Sequence, residues 1–248
     1  MQGYECRGRR PRPRSQDGSF LRDGRGRCAD PSAASTAPTN EIGLAIAKTL
    51  LGAKLQGEAR IARTTLLRRQ AADDIESFLT ALADADGLDA CRSLEAAAAE
   101  PYWGCWSDNP ATALRFARTD VSRGRIPEHW RRFDARRSFL GAGNSNRRAE
   151  RPLNALLNLG YRLAEVEVRL QCLAIGVDPS LGVVHLDRAG RDGMVLDILE
   201  VARPAVEAHV LGLVEQRTFR RSDFEQAPNG AVRAEMAAAR WARSPGTW

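Results

Sequence analysis

Apolar residues recur along this chain at three- and four-residue steps, the spacing of one helix face rather than of a strand. Asn40 is placed as an N-cap before Glu41, and Leu44, Ala47, Leu50, Leu51 and Leu55 then share a face that runs on through Ile61 to Leu66 or Leu67. A second helix is predicted from Ala71 to Leu88, with Ile75, Phe78, Leu79 and Leu82 inward and Gly87 near its end. The third runs from about Leu88 to Trp106; its alanines favour helix, while Pro101 should kink or divide it. After Pro152 a stripe of Leu153, Leu156, Leu157, Gly160, Leu163, Val166 and Leu170 carries a helix to about Ile175, ended by Gly176-Val177-Asp178-Pro179. A last helix opens at Met194-Val195-Leu196 and continues past a kink at Pro204 through Val206, Val210, Leu211 and Val214. No stretch alternates as a strand would and no segment repeats, so the expected fold class is mainly α.

Three segments lack this periodicity. Residues 1–40 hold eight arginines among Gly, Pro, Ser and Asp. They carry too little apolar surface to offset the entropy of ordering, and read as a disordered basic tail. Residues 107–151 read as a long connector with short helical pieces, and from Val121 to Arg151 nine arginines face only Glu128, Asp134 and Glu150. From Asp223 the pattern weakens. The expected organisation is a tail over 1–40, one helical domain over 41–233 and a C-terminal tail over 234–248.

Composition narrows the partners. The chain has 248 residues, a net charge of +6 and a pI near 9.5, which favours a polyanion or an acidic surface. Nearly all the positive charge is arginine, since Lys48 and Lys54 are the only lysines. Arginine suits bidentate phosphate contacts, although codon composition alone also produces such an excess. Five scattered cysteines, with no Cys-x-x-Cys pair, argue against a structural zinc site and fit a reducing compartment better than a disulfide framework. No apolar run reaches the ~18–20 residues that cross a bilayer, so no membrane partner and a cytoplasmic location are expected.

Candidate chemistry concentrates between Leu181 and Pro204. His185, one of three histidines, precedes a helix that carries Asp197 and Glu200 one turn apart on one face. Two acids and an imidazole make a seat for a divalent cation. Upstream, Glu95 lies among Leu94, Ala96, Ala97, Ala98 and Ala99, where a carboxylate needs either an arginine partner or a metal. Asp73-Asp74-Ile75-Glu76 is a further acidic run; with no second such motif, an exposed helix face explains it.

Five stretches carry a resemblance: Ser93 to Trp103 (SLEAAAAEPYW), Arg136 to Ser138 (RRS), Asn146 to Glu167 (NRRAERPLNALLNLGYRLAEVE), Gly176 to His185 (GVDPSLGVVH) and Leu196 to Pro204 (LDILEVARP). In this order they resemble the helical catalytic domain of the CRISPR-associated endonuclease/integrase of the spacer-acquisition complex, over roughly Glu41 to Arg233. The resemblance implies a metal site of Glu95, His185 and Glu200 for Mg²⁺ or Mn²⁺. Asp197 joins these catalytic residues as an auxiliary acid that orients the site. Tyr102, Asn154, Asn158 and Tyr161 also match, the last three in capping and packing roles; Ala96 stands where the family often has glycine. The implied reaction is transesterification, in which a DNA 3′-hydroxyl attacks a backbone phosphodiester. The implied partners are double-stranded DNA, a second copy of the chain and a small adaptation protein. Arg136, Arg137, Arg147 and Arg148 are the candidate phosphate contacts. Family members open with a β-strand-rich domain that helps to form the homodimer, whereas this chain opens with the Arg/Pro-rich tail. The alternative reading is therefore a DNA-binding remnant without catalysis.

Overall fold

The computed structural model describes residues 41–136, 149–185 and 192–235. Among these, six α-helices form the body: α1 (Glu41–Thr64), α2 (Arg69–Ala83), α3 (Leu88–Trp106), α4 (Arg118–Ser122), α5 (Pro152–Ile175) and α6 (Gly193–Gln216). The mainly α expectation holds, and α1 is the central strut, packing on α2, α3 and α6, while α5 packs on α6.

The buried face of α1 is the one its periodicity marks, with Ala47, Leu51, Leu55 and Ile61 in the core. The face ends at Leu66, because Leu67 turns outward with a positive φ of 54°. Each such leucine or isoleucine, taken fully out of water, contributes about 1.5–3 kcal/mol. Pro101 neither divides α3 nor ends it, and the helix runs unbroken to Trp106. Helix α5 starts with Pro152 at its first position, where no amide hydrogen bond is lost, and stops at Gly176, whose φ of 76° suits a residue without a Cβ. Its apolar stripe is buried only over its first half: Leu153, Leu156 and Leu157 are in the core, but Val166 and Leu170 are exposed.

Four short strands were not expected. β1 (Arg115–Phe116) pairs in parallel with β2 (Thr218–Phe219), and β3 (Phe224–Gln226) forms an antiparallel hairpin with β4 (Val232–Ala234). Strands of two or three residues are too short to show alternation. They are fixed instead by a cluster of Phe116, Trp130, Phe219 and Phe224 rings, and by the Val232 amide donating to the Ala149 carbonyl ahead of α5. The region after Asp223, read from sequence as weakly ordered, is thus tied into the core as far as Ala234.

The position of the site follows from one helix crossing. A Cβ on Gly57 of α1 would lie 2.5 Å from Cβ of Pro204 on α6, so only glycine lets these helices approach so closely. One turn back along each helix, that approach brings Lys54 against Glu200.

Candidate active site

Four segments converge beside the Gly57–Pro204 crossing. Helix α3 supplies Glu95, α6 supplies Asp197 and Glu200, the loop before α6 supplies His185, and α1 supplies Lys54. Sequence reasoning had named all of these except Lys54. Its ammonium lies between the two glutamates: it donates to Glu95 Oε1 and sits 2.8 Å from Glu200 Oε2. Lys54 and Glu200 are buried, whereas the Glu95 and His185 side chains keep 27% and 37% of their surface, so the cluster opens to solvent on their side.

Glu200 is held mainly by cations. Arg203 Nε donates to Oε1 at 2.9 Å, while the buried Oε2 faces the Lys54 ammonium at 2.8 Å. Burial alone would raise the Glu200 carboxyl, but Lys54 and Arg203 beside it bring its pKa down to about 2. Burial likewise opposes the Lys54 charge, yet Glu200, Glu58 and Glu95 outweigh it and hold the ammonium protonated.

His185 is oriented by Asp197, which is wholly buried. Asp197 Oδ2 accepts the amides of Val183 (2.5 Å) and Val184 (3.0 Å). Oδ1 accepts the amide of His185 and bonds its ring Nδ1, each at 2.8 Å. Burial works against this carboxylate, but the His185 ring and the three amides keep its pKa below the ordinary value. An ionised carboxylate only accepts, so Nδ1 carries a proton in this bond and Nε2 is turned towards the site, 4.0 Å from Glu200 Oε1. Both Asp197 oxygens are engaged, which makes it a positioning residue rather than a member of the open site.

The loop that bears His185 can wrap Asp197 because it has no side chain where it crosses α6. A Cβ on Gly182 would lie 2.3 Å from the His185 carbonyl and 2.7 Å from Gly193 Cα. Arg92 of α3 pins the same loop, donating from Nε and Nη2 to the Val184 carbonyl at 3.1 and 2.7 Å.

Behind the cluster lies a buried polar layer that periodicity alone did not reveal. Glu207 accepts hydrogen bonds from the Tyr102 and Tyr161 hydroxyls, both at 2.5 Å. Glu58 is nearly inaccessible, and burial with neighbouring carboxylates pushes its pKa well up. The available signal was position: Lys54 and Glu58 fall on the apolar face of α1, between Leu51, Leu55 and Ile61, where a charged side chain needs a partner.

The arginine expectations changed. Arg136 turns inward, donating to Asn154 Oδ1 (3.2 Å) and Asn158 Oδ1 (2.8 Å), with its guanidinium over the Trp103 and Tyr161 rings. It therefore braces α3 against α5 instead of standing open to a phosphate, and Asn154 and Asn158 serve it rather than capping the helix. Arg137, Arg147 and Arg148 lie outside the described residues. Asp73 and Glu76 pair with Arg63 on an exposed face, as the solvated reading of that acidic run anticipated.

The carboxylate and imidazole donors suit a hard divalent cation, and the ammonium already marks where positive charge is favoured. No three acidic, imidazole or thiol groups among the described residues gather at metal-holding spacing, and Lys54 lies between Glu95 and Glu200. The buried Oε2 of Glu200, 2.8 Å from that ammonium, is the atom that fits a cation best.

The helical domain thus closes two carboxylates around one ammonium, with an oriented imidazole 4.0 Å from Glu200 Oε1. The family is Cas1: the model for CRISPR associated protein Cas1 matches residues 32–242, and the chain belongs to that family. A CRISPR-associated endonuclease Cas1 of Methanospirillum hungatei JF-1 is 30% identical over 197 residues, covering 76% of this chain and 47% of that protein. A casposase bound to integration product superposes with a TM-score of 0.65 at 23% identity, over 85% of this chain and 56% of the other. A partial Cas6-RT-Cas1–Cas2 complex gives a TM-score of 0.60 at 18% identity, over 84% and 57%. The chain spans about half the length of the curated relatives it matches. Among the described residues no helix is long and apolar enough to cross a membrane.

Proposed function

We propose that this chain carries the catalytic centre of a metal-dependent DNA endonuclease/integrase that inserts new spacers into CRISPR arrays. The observation that carries the reading is the convergence of Glu95 and Glu200 on one buried cation, with His185 Nε2 turned towards Glu200 Oε1 at 4.0 Å. Glu95, His185 and Glu200 would hold Mg²⁺ or Mn²⁺, which when bound favours ionisation of the attacking hydroxyl and offsets charge building on the phosphate. Asp197 keeps the His185 Nδ1 proton in place, so that Nε2 always faces the site. Arg203 holds Glu200 from the far side and fixes its carboxylate against α5 through the Tyr161 ring, 4.8 Å away. In the reaction the 3′-hydroxyl of one DNA strand gives up its proton and its oxygen forms the new bond to phosphorus, while the bond from phosphorus to the 3′-oxygen of the target strand breaks; that oxygen takes up a proton and leaves as a new 3′-hydroxyl, and the phosphorus–5′-oxygen bond is kept. Double-stranded DNA is the substrate on this reading. A second copy of the chain and a small adaptation protein are the partners, in a cytoplasmic setting, with residues 41–233 as the catalytic unit.

The test is manganese-dependent strand transfer of a short duplex into plasmid. His185→Ala and Glu200→Ala should each abolish it, and activity that survives both would place the chemistry elsewhere. Salt-sensitive DNA binding without turnover would select the other reading, a DNA-binding remnant of the family.

A further inference from the structure

We propose that Lys54 is a tethered counter-cation, holding the Glu95 and Glu200 carboxylates together in the metal-free protein until a divalent ion displaces it. The inference rests on the reading of Glu95, His185 and Glu200 as the ligands of that ion. It starts from an odd placement: one of only two lysines in the chain lies on the core face of α1, buried, with its ammonium bridging acids from two other helices. Lys48, by contrast, reaches the Ala83 carbonyl at 2.7 Å in an exposed setting.

Charge explains why the ammonium is there. Glu58, Glu95, Glu200 and Glu207 all act electrostatically on this one region, and two carboxylates drawn to one point repel unless a cation lies between them. An amine on four methylenes supplies that charge without a fixed coordination shape, and it can swing away. A divalent ion shared by Glu95 and Glu200 must occupy the same space, so both cations cannot remain there together. Glu58, one turn along the same helix from Lys54, offers the displaced ammonium an accepting carboxyl oxygen on its own face. The opening beside Glu95 and His185 gives the incoming ion a path from solvent.

A competing cation and a merely structural lysine predict opposite signs. Mn²⁺ binding to the full purified chain is followed by the electron paramagnetic resonance signal of the free ion, for the wild type, Lys54→Met and Glu200→Gln. The proposal expects Lys54→Met to bind Mn²⁺ at least tenfold more tightly than the wild type, because no ammonium has to leave. It also expects metal-free Lys54→Met to melt at a lower temperature and Mn²⁺ to restore it. A structural lysine would instead give weaker binding when removed. Equal or weaker binding by Lys54→Met, with Glu200→Gln still weakening it, would overturn the role of Lys54 and leave the metal site standing. Failure of both wild type and Lys54→Met to bind Mn²⁺ would overturn both. Should Lys54→Met not fold, the wild type labelled with ¹³C-lysine shows two side-chain signals. Mg²⁺ should shift that of Lys54 and leave that of Lys48, and an unmoved Lys54 signal would overturn the proposal.

Discussion

Asp197→Asn isolates the device that orients His185. Four donors converge on the carboxylate, two on each oxygen: Val183 and Val184 amides on Oδ2, and the His185 amide and ring Nδ1 on Oδ1. An asparagine keeps the shape but has a single accepting oxygen, so whichever way the amide turns, two donors face an NH₂ group. A hydrogen bond to a charged group contributes about 1.5–3 kcal/mol net, which puts the loss of two near 3 kcal/mol or more. For a helical domain of this size that corresponds to a fall in melting temperature of roughly 6–12 °C. Urea unfolding followed by circular dichroism measures it, and Asp178→Asn is the control. That exposed carboxylate bonds only Ser180, so its variant should stay within ~0.5 kcal/mol of the wild type. A loss below ~1 kcal/mol for Asp197→Asn would mean that the loop over Asp197 does not depend on its charge, and the account of how His185 is held would fail.

Two other perturbations test the scaffold. Gly57→Ala forces a Cβ to within 2.5–2.6 Å of the Pro204 ring, an overpacking cost of about 1–3 kcal/mol that the ~1 kcal/mol helix preference of alanine only partly offsets. Gly212→Ala on α6 meets nothing within 4 Å and should stabilise by up to ~1 kcal/mol; the same sign for both variants in urea unfolding would refute the crossing argument. Burial and neighbouring carboxylates raise Glu58 well above its ordinary 4.5, so over the window upward from there the native state binds more protons than the unfolded chain. Stability contributed at this position therefore falls as pH rises, by up to ~1.4 kcal/mol per unit. The wild type should lose ground relative to Glu58→Gln between pH 5 and pH 8, and an unchanged difference between them would argue against a protonated Glu58.

The helices were legible because each long one carries its own core face, and the limits of α3 and α5 agree with the apolar pattern almost to the residue. Where the reading failed, the cause lay in distant contacts. The second half of α5 has the periodicity of a buried helix, yet Val166, Leu170 and Leu173 remain exposed because no other described element covers them. The strands were illegible because two or three residues have no period, and aromatic packing across the chain fixes them. Arg136 carried the right composition for a phosphate contact, and two asparagines with two rings turned it inward.

By itself the sequence determined the helical frame, the acid–histidine–acid set with Asp197 one turn before Glu200, and through motif order the family. These are local or ordinal properties, written in residue spacing. Only the tertiary structure decided that Lys54 lies between Glu95 and Glu200, and that Asp197 faces His185 and three amides rather than the opening. Both outcomes depend on how closely two pieces of backbone can cross, Gly57 against Pro204 and Gly182 against Gly193, and such a distance has no signature along a single chain.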